Sequence, residues 1–154
     1  MSFIKNKSIQ ITIHVIIPIL FGGLIYISFR SKSLNMFNWF ESIGVLDNIL
    51  LIRNSFYGLK ESIPKWLYFS FPDALWVYSF TSALLLSGNE IKSLKYWLLI
   101  PFILGPFLEL LQLINLFPGT FDVIDLFFTC IAFLFSIIIF NFKIEDNDKQ
   151  KQTF

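Results

Sequence analysis

Between Lys7 and Arg30 the chain reads Ser8-Ile9-Gln10-Ile11-Thr12-Ile13-His14-Val15-Ile16-Ile17-Pro18-Ile19-Leu20-Phe21-Gly22-Gly23-Leu24-Ile25-Tyr26-Ile27-Ser28-Phe29, without one charged side chain. As a helix, a run of this length can cross a hydrocarbon core of about 30 Å. It does not read as a cleaved signal peptide. It carries Pro18 and the pair Gly22-Gly23, and it ends in Ser28-Phe29-Arg30 where a small-x-small cleavage site would be needed. The expectation is a retained helix whose glycines allow close contact with a neighbour.

Composition extends that reading to the whole chain. Of 154 residues, 55% are hydrophobic and only 15% are charged. A soluble domain carries about 25% charged residues, so the balance argues against an ordinary soluble enzyme. Aromatic side chains make up 19%, too many for a disordered chain. A net charge of +1 gives no field to attract nucleic acid. Cys130 is the single cysteine, which excludes an internal disulfide and cysteine-rich metal sites. Neither a metal nor a cofactor is expected. The expected protein is a small multi-pass membrane protein, with the lipid bilayer as its first partner.

Three more crossings follow from apolar runs. The second starts near Ser70, where Ser70-Phe71-Pro72-Asp73 reads as a capping box, and ends near Ser87 before Gly88-Asn89-Glu90. The third runs from about Tyr96 to Asn115, bent by Pro101 and Gly105-Pro106, and the turn Phe117-Pro118-Gly119-Thr120 follows. The fourth runs from about Phe121 to Asn141. Between the first two, Met36, Trp39, Phe40 and Ile43 keep helical spacing inside a charged segment, which predicts one interfacial amphipathic helix near 34–50. The fold class is therefore all-α: four transmembrane helices plus an interfacial helix, with a membrane domain over 1–142 and a polar, frayed tail over 143–154. Lysine and arginine counting places Lys5, Lys7, Lys92, Lys95, Lys143, Lys149 and Lys151 on one side, against Arg30, Lys32, Arg53, Lys60 and Lys65 on the other. The positive-inside rule then puts both termini in the cytoplasm.

Acidic residues in apolar helices need a reason, because a carboxylate at helix centre costs about 2.5–3.5 kcal/mol on insertion scales. Up-and-down topology brings Asp73, Glu109, Gln112, Asp122 and Asp125 to one end of the bundle, and Arg30 to the same end. Asp122 and Asp125 share a helix face at i,i+3, as do Glu109 and Gln112. A capping role competes for Asp73 and Asp122, and pairing with Arg30 competes for Glu109. Gln112 reads equally as interhelical glue. His14 reads as a packing histidine and Cys130 as an apolar filler. The candidate site is Glu109, Gln112, Asp122, Asp125, Asp73 and Arg30, in a ligand-binding role; catalytic residues are not assigned.

Glu109-Leu110-Leu111-Gln112, a short turn, and Gly119-Thr120-Phe121-Asp122-Val123-Ile124-Asp125 resemble the signature of VanZ-like membrane proteins, with Asp73-Ala74-Leu75-Trp76-Val77 matching an earlier motif. The family's lysine and histidine are replaced by Ala74 and Val77, its arginine by Gly119 and its asparagine by Thr129. The resemblance implies a bacterial cell-envelope protein of the cytoplasmic membrane; the favoured orientation turns the acidic cluster outward, where a lipid or glycan ligand is the expected partner. Two other readings stay open: a subunit of a larger membrane assembly or ion-conducting homo-oligomer, and an intramembrane hydrolase with paired carboxylates.

Overall fold

In the computed structural model the uncharged run forms one helix, α1 (Lys7–Phe29), and the chain is all-α throughout its described residues. These are 6–32, 35–87, 94–116 and 121–152, with backbone only at Lys95 and 141–152. Asn6 caps α1 by accepting the Ser8 N–H at 2.9 Å. The helix widens into a π-turn over Thr12–Ile16, where the Ile17 N–H reaches back to the Thr12 carbonyl. Two short helices come next, α2 (Asn35–Ser42) and α3 (Leu46–Phe56). Gly44 separates them at φ 72°, with Gly44 N–H bonded to the Glu41 carbonyl and Val45 N–H to the Phe40 carbonyl. That pair of bonds is a Schellman stop, which requires the left-handed conformation that glycine adopts cheaply.

The chain then passes through α4 (Lys65–Phe69) into α5 (Phe71–Leu86), α6 (Leu94–Trp97), α7 (Leu99–Leu113) and α8 (Val123–Gln152). Helix α5 is the centre of the bundle: α1 and α8 pack along it to a similar extent, and α7 leans mainly on α8. Small residues explain the close approach. Ala74, Ser79, Thr81 and Ser82 of α5 are buried, and Ser82 Oγ meets Ser136 Oγ of α8 at 3.0 Å. Two other buried hydroxyls of α5 return to their own helix: Ser79 donates to the Leu75 carbonyl and Thr81 to the Val77 carbonyl. A Cβ on Gly22 would stand 3.0 Å from Trp76 Nε1 and 3.3 Å from the Pro72 carbonyl, so this glycine sets the α1–α5 spacing; Gly23 faces open space. Large apolar side chains pack mostly at one end, where Ile25, Phe29 and Tyr68 cluster with Phe56, Ile63 and Phe71. Phe37, Phe133 and Phe140 are also buried, while many others point outward, as Leu20 (67% exposed) and Phe127 (62% exposed) do. Small and hydroxyl side chains are thus inside and many large apolar ones outside.

The four-span architecture is corrected. Among the described residues only Lys7–Phe29 and Val123–Phe140 are long and apolar enough to cross a membrane. Helix α5 has 16 residues and α7 has 15, short of the roughly 20 a bilayer needs. The third expected crossing is broken at Leu98, between α6 and α7, and Pro106 lies inside α7. With this pattern gone, so are the multi-pass inner-membrane localisation, its cytoplasmic termini and the lipid bilayer as the first partner. The expected interfacial helix is also corrected: it is two helices divided at Gly44, the second held to α1 by Arg53 Nη1 donating to the Ile27 carbonyl at 3.0 Å. Ser70 makes no side-chain cap, because α4 runs directly into α5 and the Ser70 N–H already bonds the Trp66 carbonyl. The backbone of α8 stays helical through the segment expected to fray. The expected turns at 88–90 and 117–120 lie outside the described residues, as do Lys5 and Lys92 in the charge count.

Candidate functional site

Two helix ends build the acidic cluster. Helix α7 stops in a second Schellman arrangement: Asn115 takes φ 58°, its N–H bonds the Gln112 carbonyl, and the Leu116 N–H bonds the Leu111 carbonyl. Helix α8 starts at an Asx cap, with Asp122 Oδ1 accepting the Ile124 N–H at 2.8 Å. Glu109, near the end of α7, therefore stands beside the first turn of α8. Its side chain is buried at 8% exposure, and Oε2 accepts the Asp122 N–H at 2.9 Å. This bond satisfies one of the orphan donors at the α8 N-terminus with a carboxylate, where the helix dipole favours negative charge.

Asp125 lies within hydrogen-bonding reach of Glu109. Asp125 Oδ1 is fully shielded and has no hydrogen-bond partner among the described residues. Burial pushes the Glu109 carboxyl above the usual carboxylate range. The Asp122 N–H opposes that rise, and the charges of Asp125 and Asp122 add to it. Across the cluster, burial at the start of α5 pushes Asp73 up to about 6; Arg30 pulls it down, while Asp125 and Glu109 push it further up. Arg30 reaches Asp73 through space and is held by rings, its guanidinium carbon 5.1 Å from the Tyr26 centroid and 5.2 Å from that of Phe69.

The structure therefore groups Asp73, Glu109, Asp125 and Arg30 electrostatically. Asp122 serves as a cap and offers its backbone N–H to Glu109. Gln112 is half-buried and makes no side-chain hydrogen bond among the described residues. No group of three or more metal-ligating side chains occurs among the described residues.

A second polar chain escaped sequence reasoning. His14 Nδ1 lies 2.6 Å from Tyr78 OH, Ser82 is within reach of the same hydroxyl, and Ser82 bonds Ser136. Burial raises the Tyr78 phenol and the Ser82 contact opposes the rise. The available signal was the i,i+4 pair Tyr78 and Ser82 on one face of α5.

No family model matches the chain, and no curated protein or solved structure is detectably similar to it. The resemblance to VanZ-like proteins is corrected accordingly: it rests on five polar positions, Asp73, Glu109, Gln112, Asp122 and Asp125, without the motif's basic half. The bacterial cell-envelope role, the lipid or glycan ligand, the homo-oligomer or membrane complex, the ion-conducting reading and the intramembrane hydrolase rested on that resemblance and on four spans, and they are set aside with it.

Proposed function

We propose that this chain is a pH-responsive helical module in which the Glu109–Asp125 carboxyl pair latches α7 to α8. The observation that carries the reading is the buried Glu109 side chain, bonded to the α8 N-terminus while a second carboxyl stands within reach. Burial and its acidic neighbours favour the protonated form of Glu109. While Glu109 keeps its proton, it supplies the donor that the shielded Asp125 Oδ1 lacks, and the latch is closed. A buried acceptor without a donor costs about 1–3 kcal/mol, so that proton holds the helices together. When Glu109 ionises, that donor is lost, a buried charge is left without a counter-charge, and α7, which leans mainly on α8, is released. Asp73 and Arg30 tune the field in which this happens.

The test is amide hydrogen exchange in α7, corrected for intrinsic rates, from about pH 4 to about pH 8. Protection of 99–113 in the parent protein is expected to fall as pH rises. Glu109→Gln, whose amide can accept from Asp122 N–H and donate to Asp125, should hold α7 protected throughout. Glu109→Ala should leave it weakly protected at every pH. A parent profile that is flat, or a Glu109→Gln profile that follows the parent, refutes the latch.

A further inference from the structure

Helix α1 carries an irregularity that its composition does not require. Over Thr12–Ile16 the helix widens to a π-turn, closed by the Ile17 N–H on the Thr12 carbonyl. Such turns are rare, and they persist where surrounding contacts over-determine them. Two features surround this one. Pro18 follows immediately; it has no N–H, and in a regular α-helix its ring would press on the His14 carbonyl four residues back. Proline therefore weakens the α-helical alternative here without dictating the π form. The second feature is His14 itself, at the middle of the turn. Its Nδ1 meets Tyr78 OH of α5 at 2.6 Å, and its ring stands edge-on to Phe140 of α8 with centroids 5.3 Å apart. One turn along α5 from Tyr78, Ser82 meets Ser136 of α8. Ser82 and Ser136 are fully buried, so the contact is anchored to the centre of the bundle.

We propose that the π-turn is a two-state register switch, held in its wide form by the His14–Tyr78 hydrogen bond. When that bond is lost the turn tightens to α-helical geometry. The five residues ahead of it, Lys7–Ile11, then rotate against α5 by about one residue, or roughly 100°. The direction follows from the geometry. A π-turn advances through a smaller angle per residue than an α-turn, so tightening moves the inward position one residue toward the C-terminus. Gln10 and Ile11 are both half-buried in the wide form. In the tight form Ile11 occupies the inward place and Gln10 turns out.

Single cysteines at positions 10 and 11, in a Cys130→Ala background, report this rotation through their rates of thiol alkylation. Tyr78→Phe removes the hydroxyl and keeps the ring, whose neighbour Phe135 lies 6.0 Å away centroid to centroid. It should raise the rate at position 10 relative to position 11 by severalfold. His14→Leu should do the same. His14→Asn, whose Oδ1 lies near the place of Nδ1, should keep the parent ratio. Circular dichroism shows which variants fold; if Tyr78→Phe does not, the His14→Leu and His14→Asn pair decides. A parent ratio in both Tyr78→Phe and His14→Leu overturns the proposal and leaves Pro18 as the sole cause of the turn. Equal ratios in His14→Asn and His14→Leu, both shifted, overturn the proposal that a polar contact from the Nδ1 place to Tyr78 OH holds the turn.

Discussion

Asp73→Asn is the substitution whose consequence the structure determines most fully. Asp73 sits in the first turn of α5, half-buried, and burial outweighs the attraction of Arg30 to lift its pKa from 3.8 to about 6. At 1.36 kcal/mol per pH unit, that displacement corresponds to about 3 kcal/mol. The folded state holds the proton more tightly than the unfolded chain, so the stabilisation is complete below about pH 3.8 and disappears as pH rises through about 6. Above about pH 7 the ionised carboxylate therefore costs the fold up to about 3 kcal/mol. Asparagine is nearly isosteric and carries no charge at any pH. Arg30 keeps its Tyr26 and Phe69 rings when the carboxylate is gone. Denaturant unfolding followed by far-UV circular dichroism, at about pH 4 and about pH 7.5, checks the reasoning. Parent and variant should coincide at the lower pH, and the variant should be the more stable at the higher pH by as much as about 3 kcal/mol. If Asp73→Asn is less stable than the parent at about pH 7.5, or if the difference between them does not change with pH, the account of Asp73 as a buried acid with insufficient counter-charge is wrong.

Gly44→Ala forces a Cβ into φ 72° and should cost about 1–2 kcal/mol in the same assay, whereas Gly23→Ala, facing open space within α1, should stabilise the helix slightly. Gly105→Ala places a Cβ 3.2 Å from Thr129 Oγ1 and 3.3 Å from Thr129 Cβ; it should destabilise by about 1 kcal/mol, and a second change, Thr129→Ser, should recover only part of the loss. Removing the Ser82 and Ser136 hydroxyls singly and together should give a coupling of about 1 kcal/mol in a double-mutant cycle, and a value near zero would mean that the two hydroxyls use other partners.

Much of the helical content was legible in the sequence, because an uncharged run such as 8–29 leaves the backbone no better way to satisfy its polar groups. The placing of Asp73, Glu109, Asp122 and Asp125 at one end was legible for a simpler reason: successive helices joined by short connections must alternate direction. Gly22 was legible as a close-contact residue, while Gly23 next to it was indistinguishable in sequence and turned out to face open space. Ser70 misled because a capping box is a local pattern, and the local pattern does not show that α4 already occupies the Ser70 N–H. The single amphipathic helix near 34–50 misled because its apolar spacing continues up to Gly44, whose left-handed conformation breaks it.

By itself, then, the sequence determined the all-α class, the approximate helix positions and the gathering of acids at one end, since hydropathy runs, proline and glycine act within a few residues of themselves. The tertiary structure decided how many helices reach spanning length, that Glu109 bonds the Asp122 N–H while Asp125 Oδ1 lies shielded beside it, and that His14 meets Tyr78 through a π-turn. These are properties of pairs of residues 13 and 64 positions apart. Their energies depend on distances of a few tenths of an ångström and on burial, which exist only once the helices have packed.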